Sequence, residues 1–341
     1  MKVVVLAGGV GGSRFLRGVR ARLRQELPDG SGGTTAQLTA VVNTGDDLWL
    51  AGLRITPDLD TILYTLAGIN DTDRGWGRVG DTERVSAELA EWGVGHPWFT
   101  LGDLDLAASI ARTAWLREGI PLHEVATRLQ ARWPLGLRLL PATDDEVETH
   151  VVVDDPDHPG RRRELHFQEW WTRYRASLAA RAFVQDCVDA AAPAPGVLEA
   201  LADADVVLLA PSNPVVSIGT ILGIPGLRDA VRATAAPVVG ISPIIGGAVV
   251  RGMADACLTA IGVSTDAAAV ARHYGRRSDD AVPGGGLLDG WLVDEVDAAG
   301  ADALTRDGIR TRAVPLWLRD EASSAAVAAA ALDLAAELAR R

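Results

Sequence analysis

VVVLAGGVGGSRFLRGV, residues 3–19, decides the fold. A short apolar run rich in β-branched residues is cut off by glycines, after which Phe15, Leu16, Val19 and then Leu23 recur at helical spacing. Strand, glycine-rich turn and helix in that order form the opening unit of an open α/β sheet. The first few residues imitate a signal peptide, but Gly8-Gly9 followed by Arg14, Arg17 and Arg20 stops the apolar stretch too early. A second apolar strand, LTAVVN (38–43), follows a polar loop, so the first two strands are expected to be parallel neighbours. Ligands bind such sheets at the loops leaving the carboxyl ends of the strands.

Farther along, LDTILYTLAG, TERVSAELAEWG, DLDLAASIARTAWLREG and PLHEVATRLQARW predict a helical layer between Asp58 and about Pro134. Residues 135–188 are β-rich, with DDPDHPGRRR as a hairpin tip, and DAAAPAPG (189–196) is a connector. Strand and helix alternation then resumes through ADVVLLAPSNP, helices at 226–234 and 253–261, and an Ala-rich terminus. The expected class is α/β: a Rossmann-like, mostly parallel sheet covered by helices on both faces, with a smaller inserted α+β region. Residues 1–60 and 197–341 are taken as the core and 61–196 as the insert.

Composition narrows the function. With 341 residues, 48% hydrophobic and 23% charged, the chain buries a large core, and no apolar run reaches the roughly 18 to 20 residues that span a bilayer. A net charge of −12 argues against nucleic acid as a partner. Cys187 and Cys257 are far apart, giving neither a disulfide framework nor a zinc site, and a reducing cytoplasm is expected. Lys2 is the only lysine, so arginines, whose planar forks suit phosphate, carry the other cationic contacts.

Two stretches carry the chemistry. In AGGVGGSR (7–14), Gly9, Val10, Gly11, Gly12, Ser13 and Arg14 place backbone amides at a helix start, where phosphate is favoured. The loop is neither a Walker A motif nor GxGxxG, because Arg14 stands where the third glycine would be. The alternative is a turn needed only for tight strand–helix packing. VVNTGDDLWLAGLRITPDLDTILYTL (41–66) sets Asp46, Asp47, Asp58 and Asp60 within fifteen positions. One acid would suffice for a ribose hydroxyl. Clustered carboxylates beside phosphate suit Mg²⁺, which prefers oxygen ligands. Asp58 is expected to cap the following helix, leaving Asp46 and Asp60 as the metal ligands.

APSNPVVSIGTIL (210–222) follows another buried strand, and Ser212 and Asn213 at its turn could meet a nucleotide or a substrate hydroxyl. ISPIIGG (241–247) repeats the arrangement. Trp49 is expected to pack in the core, with a pocket for a flat ring as the alternative. His166 is expected to be a packing or surface residue rather than a base, and neither HExxH nor GxSxG occurs.

Taken in order, GGVGGSRFLRG, VVNTGDDLWLAGLRITPDLDTILYTL, LGDLDLA, LLPATDDEVETHVVV, HFQEWW, APSNPVVSIGTIL and ISPIIGGAVVRG resemble the 2-phospho-L-lactate transferase family of coenzyme F420 biosynthesis. The likeness runs nearly end to end and is strongest to the actinobacterial branch, which uses a phosphoenolpyruvyl donor. It implies a Rossmann-like core with residues 61–196 on the acceptor side, and a homodimer. It also implies transfer of a phosphoenolpyruvyl or 2-phospho-L-lactyl group from a guanosine diphosphate adduct to the ribityl hydroxyl of the deazaflavin FO. The products would be dehydro coenzyme F420-0, or F420-0, and GMP. Gly9 to Ser13 would cradle donor phosphate with Ser212 and Asn213. Asp46 and Asp60 would hold Mg²⁺, and Asp47 would join them or accept the hydroxyl proton. One position departs from the pattern: Leu104 in LGDLD stands where many relatives carry arginine, so either Arg14 or Arg54 substitutes or the contact is dispensable. The rival readings are a nucleotide-sugar-binding regulatory protein of the same superfamily and an NAD(P)-dependent oxidoreductase.

Overall fold

A computed structural model describes residues 1–340. Its strands, in chain order, are β1 (Lys2–Ala7), β2 (Gln37–Val42), β3 (Leu48–Leu50), β4 (Leu53–Ile55), β5 (Arg138–Pro141), β6 (Glu148–Asp154) and β7 (Arg162–His166). They continue as β8 (Ala180–Asp186), β9 (Val206–Leu209), β10 (Val238–Ile241), β11 (Ile244–Ile245), β12 (Ala248–Val249), β13 (Gly290–Val293) and β14 (Arg310–Ala313). Seven of them form one parallel sheet in the order β14-β13-β10-β9-β1-β2-β5. Numbered by appearance within that sheet, the order is the Rossmann 3-2-1-4-5-6 with one more parallel strand at the far edge. As expected, β1 and β2 are neighbours, in register from Lys2 opposite Gln37 to Ala7 opposite Val42.

Continuous apolar strands require cover on both faces. Alternation along β1 divides the cover: Val3, Val5 and Ala7 face one layer, Val4 and Leu6 the other. The first layer holds α1 (Gly9–Glu26), α2 (Pro57–Ala67) and, at the end of the chain, α12 (Glu321–Ala339). By length and composition α12 is apolar enough to cross a membrane, but here Val327, Ala328, Leu332 and Leu334 are buried in the core. Between α2 and α12 the helices are α3 (Arg84–Glu91), α4 (Asp103–Arg117), α5 (Leu122–Gln130), α6 (Val197–Ala202), α7 (Ile218–Gly223), α8 (Leu227–Ala233), α9 (Ala254–Ala260), α10 (Ala267–Tyr274) and α11 (Ala298–Arg306). Of these, α6, α7, α8 and α10 supply much of the second layer, through Val197, Leu201, Ile221, Val231 and Val270.

One feature departs from the expected division of the chain. Strand β5 lies within 61–196, yet it pairs with β2 and forms the edge of the main sheet. The rest of the β-rich stretch is a separate antiparallel sheet, β7-β6-β8, whose hairpin connection spans the expected tip. After β7 comes one π-helical turn (Glu169–Arg173), and Trp170 there is fully buried with Val151, Leu165 and Phe167 against Val216, Met253 and Cys257. That packing holds the small sheet against the loop after β9 and the start of α9, and so delivers Phe167 and Gln168 to the carboxyl edge of the main sheet.

Candidate active site

Because the chain runs from β1 outward to β2 and β5, then crosses to β9 and beyond, the connections diverge between β1 and β9. A crevice at the carboxyl ends follows. The loops after β1, β2, β9 and β10 line it, around a cavity of ≈ 1000 Å³. Ser212 joins two of them: the Gly8 amide donates to its Oγ (3.0 Å), and its hydroxyl donates back to the Gly8 carbonyl (2.7 Å). The approach is close enough that a Cβ on Gly11 would stand 2.4 Å from the Pro211 carbonyl oxygen, and one on Gly12 2.9 Å from Ala7 Cβ. Packing therefore accounts for these two glycines. Gly9, Val10, Gly11 and Arg14 also line the cavity, as do Ser212 and Asn213. Gly12 and Ser13 are buried behind that lining, and the Ser13 hydroxyl donates to the Val10 carbonyl (2.9 Å), so the expected cradle loses these two members. Asn213 Oδ1 accepts from the Val215 amide (2.9 Å) and shapes the turn.

Asn43, just beyond β2, organises the acids. Its side-chain amide donates to Asp46 Oδ1 (3.1 Å) and Asp58 Oδ2 (2.9 Å), and Gln168 donates to Asp46 Oδ2 (3.2 Å). Asp58 lies against the start of α1, where a Cβ on Gly8 would be 2.6 Å from its Oδ2 and the Gly9 amide favours its ionised form. Burial nevertheless pushes Asp58 up to about 6. It pushes Asp46 well above the carboxylate range, with the Asp58 charge adding to the effect. Among the described residues neither carboxylate has an arginine or lysine partner within 4.0 Å.

The expectation that Asp58 caps the following helix is not met. The N-cap of α2 is Thr56, not Asp58, with Pro57 at the first helical position. Residues two apart on a helix point about 200° apart, so Asp58 and Asp60 have different neighbours. Asp60 is ion-paired with the fully buried guanidinium of Arg112, from α4, and accepts from the Thr56 hydroxyl (3.3 Å). It thus has a cationic partner within the chain, while lining the cavity as Asp46 and Asp58 do.

Asp47 also departs from expectation. It is fully buried, lies outside the cavity lining, and neither carboxylate oxygen meets a donor. Burial raises its pKa well above the usual range against the pull of Arg54 and then Arg112. The Asp47 backbone carbonyl faces His166 Nε2 (3.2 Å); burial holds that imidazole down at about 4, and His166 lies outside the cavity lining. Trp49 is neither core nor pocket. In the β3–β4 hairpin Leu48 and Leu50 turn inward, so Trp49 turns out, and its indole donates to Glu146 (2.9 Å). Leu104 is exposed and outside the cavity, and Arg54 is ion-paired with Glu148, so of the two proposed substitutes only Arg14 faces the cleft.

Sequence reasoning missed Asn43, Gln168 and Arg112. Asn43 carried a signal, an amide following the apolar run 40–42; the other two carried none locally. It also missed the aromatic side chains that line the cavity, Trp76, Trp98, Phe99, Phe167, Trp171 and Trp317. With carboxylates, a helix amino end and flat aromatic side chains in one lining, the cleft suits an anionic ligand together with a ring system.

Comparison with known proteins agrees with this architecture. The profile of the 2-phospho-L-lactate transferase CofD family matches residues 3–316. A Thermobifida fusca protein named phosphoenolpyruvate transferase is 54% identical over 341 residues, covering all of both chains. Its namesakes from Nocardia farcinica (52%, covering 98% of this chain and 95% of that one) and Streptomyces griseus (53%, 99% of each) are similar. Among solved structures, a UPF0052 family protein from Bacillus halodurans shares the fold, with a TM-score of 0.59 at 17% identity over 97% of this chain and 98% of that one. A family match over almost the whole length, on a fold whose switch-point loops carry the acids, establishes that this chain is a transferase belonging to the 2-phospho-L-lactate transferase CofD family.

Proposed function

We propose that the cleft transfers a phosphoenolpyruvyl group from a guanosine diphosphate adduct to the ribityl hydroxyl of the deazaflavin FO, in coenzyme F420 biosynthesis. A bond forms between the hydroxyl oxygen and the phosphorus bearing the enolpyruvyl group, and the bond from that phosphorus to GMP breaks. The hydroxyl proton is released, and the products are dehydro coenzyme F420-0 and GMP. The observation that carries this reading is the pairing of Asp46 and Asp58 on one amide, without a cationic side chain, beside the amino end of α1.

These hard oxygen donors fit Mg²⁺, and Asp46 and Asp58 would hold it. When bound it would offset the diphosphate charge that otherwise repels the incoming oxygen. Asn43 and Gln168 orient the two carboxylates. The first turn of α1 and the Ser212–Asn213 turn receive the nucleotide side, and the aromatic side chains of the lining receive the deazaflavin ring. Phosphoryl transfer depends chiefly on positioning and charge stabilisation, which this arrangement supplies without a dedicated base. The names of the relatives favour the enolpyruvyl donor; a 2-phospho-L-lactyl donor, sharing the guanosine diphosphate handle, is the alternative. We also propose a cytoplasmic homodimer, which light scattering would test.

The experiment is to mix protein, FO and Mg²⁺ with each donor in turn and identify products by mass spectrometry. GMP and dehydro coenzyme F420-0 are expected. Donor binding without any product would favour the regulatory-protein reading instead.

A further inference from the structure

The cavity carries basic as well as acidic groups. Besides its aspartates, Arg14, Arg175, Arg251 and Arg319 line it; Arg14 and Arg251 stand out because the charge of Arg251 acts directly on Arg14. Arg14 projects from the second turn of α1, the helix whose amino end faces the ligand; Arg251 follows the β11–β12 hairpin. Among the described residues neither has a carboxylate within 4.0 Å, although Arg54, Arg74, Arg112 and Arg173 in neighbouring segments are all ion-paired. Arg251 donates to the neutral Arg74 carbonyl, and a Cβ on Gly75 would touch its guanidinium, so it is held by backbone rather than by charge. Burial, and next the charge of Arg251, lower the pKa of Arg14. Two guanidiniums that repel each other inside a cleft, with no internal counter-charge, are arranged for an anion.

Resting on the transferase reading, the choice of anion follows from what else the cavity provides. The donor would present two phosphates and one carboxylate. Asp46 and Asp58 with their cation, and the α1 amides, are placed for the phosphates. The carboxylate is left, and a planar fork pairs with it through two parallel N–H···O bonds. We propose that Arg14 and Arg251 together clamp the carboxylate of the three-carbon acid being transferred. They thereby select a donor bearing that acid over an unsubstituted guanosine diphosphate.

The test compares two ligands on the full-length protein with Mg²⁺: phosphoenolpyruvyl guanosine diphosphate and plain GDP. By calorimetry, Arg14→Gln and Arg251→Gln should each weaken the donor by about 10-fold or more while leaving GDP within about 3-fold, as expected for loss of a charge-assisted pair. Arg14→Lys and Arg251→Lys should recover only part of the loss, because an ammonium cannot replace the fork. The donor KM should rise in step, and unchanged circular dichroism and thermal midpoint would show that the variants fold. Equal weakening of donor and GDP would move the arginines to the phosphates and overturn the carboxylate clamp, as would no weakening of either. Wild-type protein that binds the donor and discriminates it from GDP, yet forms no product with FO, would refute the transfer while sustaining the clamp. Failure of the wild type to bind the donor would remove both.

Discussion

Four aspartates of one type, within one short stretch, have separate fates because burial is shared and partners are not. Asp60 has Arg112, Asp46 and Asp58 share Asn43, and Asp47 has only the more distant fields of Arg54 and Arg112. Asp60→Asn should therefore cost about 3–5 kcal/mol in urea denaturation, because Arg112 is left buried without its counter-charge. Asp58→Asn removes a charge that burial already penalises, so it should leave stability unchanged or higher while abolishing Mg²⁺-dependent turnover. If the two variants lost stability alike, the division between structural and ligand-facing acid would be wrong. Asp105, which accepts from the Tyr64 hydroxyl (2.8 Å), gives a pH prediction. Burial, then the Asp60 charge, raise it from 3.8 to about 7, so between those values the folded state holds a proton that the unfolded chain has released. Its contribution to stability is thus most favourable below pH 3.8 and is lost as pH rises through about 7. Denaturation from pH 5 to 8 should show the wild type losing stability relative to Asp105→Asn.

Among elements, α1 and α12 approach each other closely through backbone. A Cβ on Gly18 would lie 2.3 Å from the carbonyl carbon and oxygen of Ser324, backbone atoms that cannot swing aside. Gly18→Ala should force the helices apart, costing about 1–3 kcal/mol and lowering the thermal midpoint by several degrees, a size typical of overpacking. The same logic explains which elements were legible in the sequence. The helices at 226–234 and 253–261 announced themselves by spacing, and the structure places them at Leu227–Ala233 and Ala254–Ala260. The β3–β4 hairpin did not, because its three-residue strands are too short to display alternation. Trp49 was accordingly expected inside although the pleat turns it out.

For the whole molecule, the order of strands matters more than any single loop, since only the divergence at β1 and β9 brings residues 8–11, Asp46 with Asp58, and residues 211–213 to one cavity. Ligand should in turn stabilise the entire fold by mass action, about 2.7 kcal/mol at a hundredfold excess over Kd. Differential scanning fluorimetry should show GDP with Mg²⁺ raising the midpoint more than GDP with a chelator, and Asp58→Asn should erase the difference. A chelator-insensitive shift would place the nucleotide without a metal.

From its residues alone the chain declared an α/β sheet, the glycine turn opening it, and a set of polar loops at strand ends, because strand and helix periods and turn chemistry are written in neighbouring positions. Which acid is compensated, which faces the cleft and which arginine stays unpaired were settled only by tertiary structure. Arg112 reaches Asp60 across 52 positions, and Gln168 reaches Asp46 across 122. Charge compensation and desolvation depend on neighbours in space, and no local pattern records them.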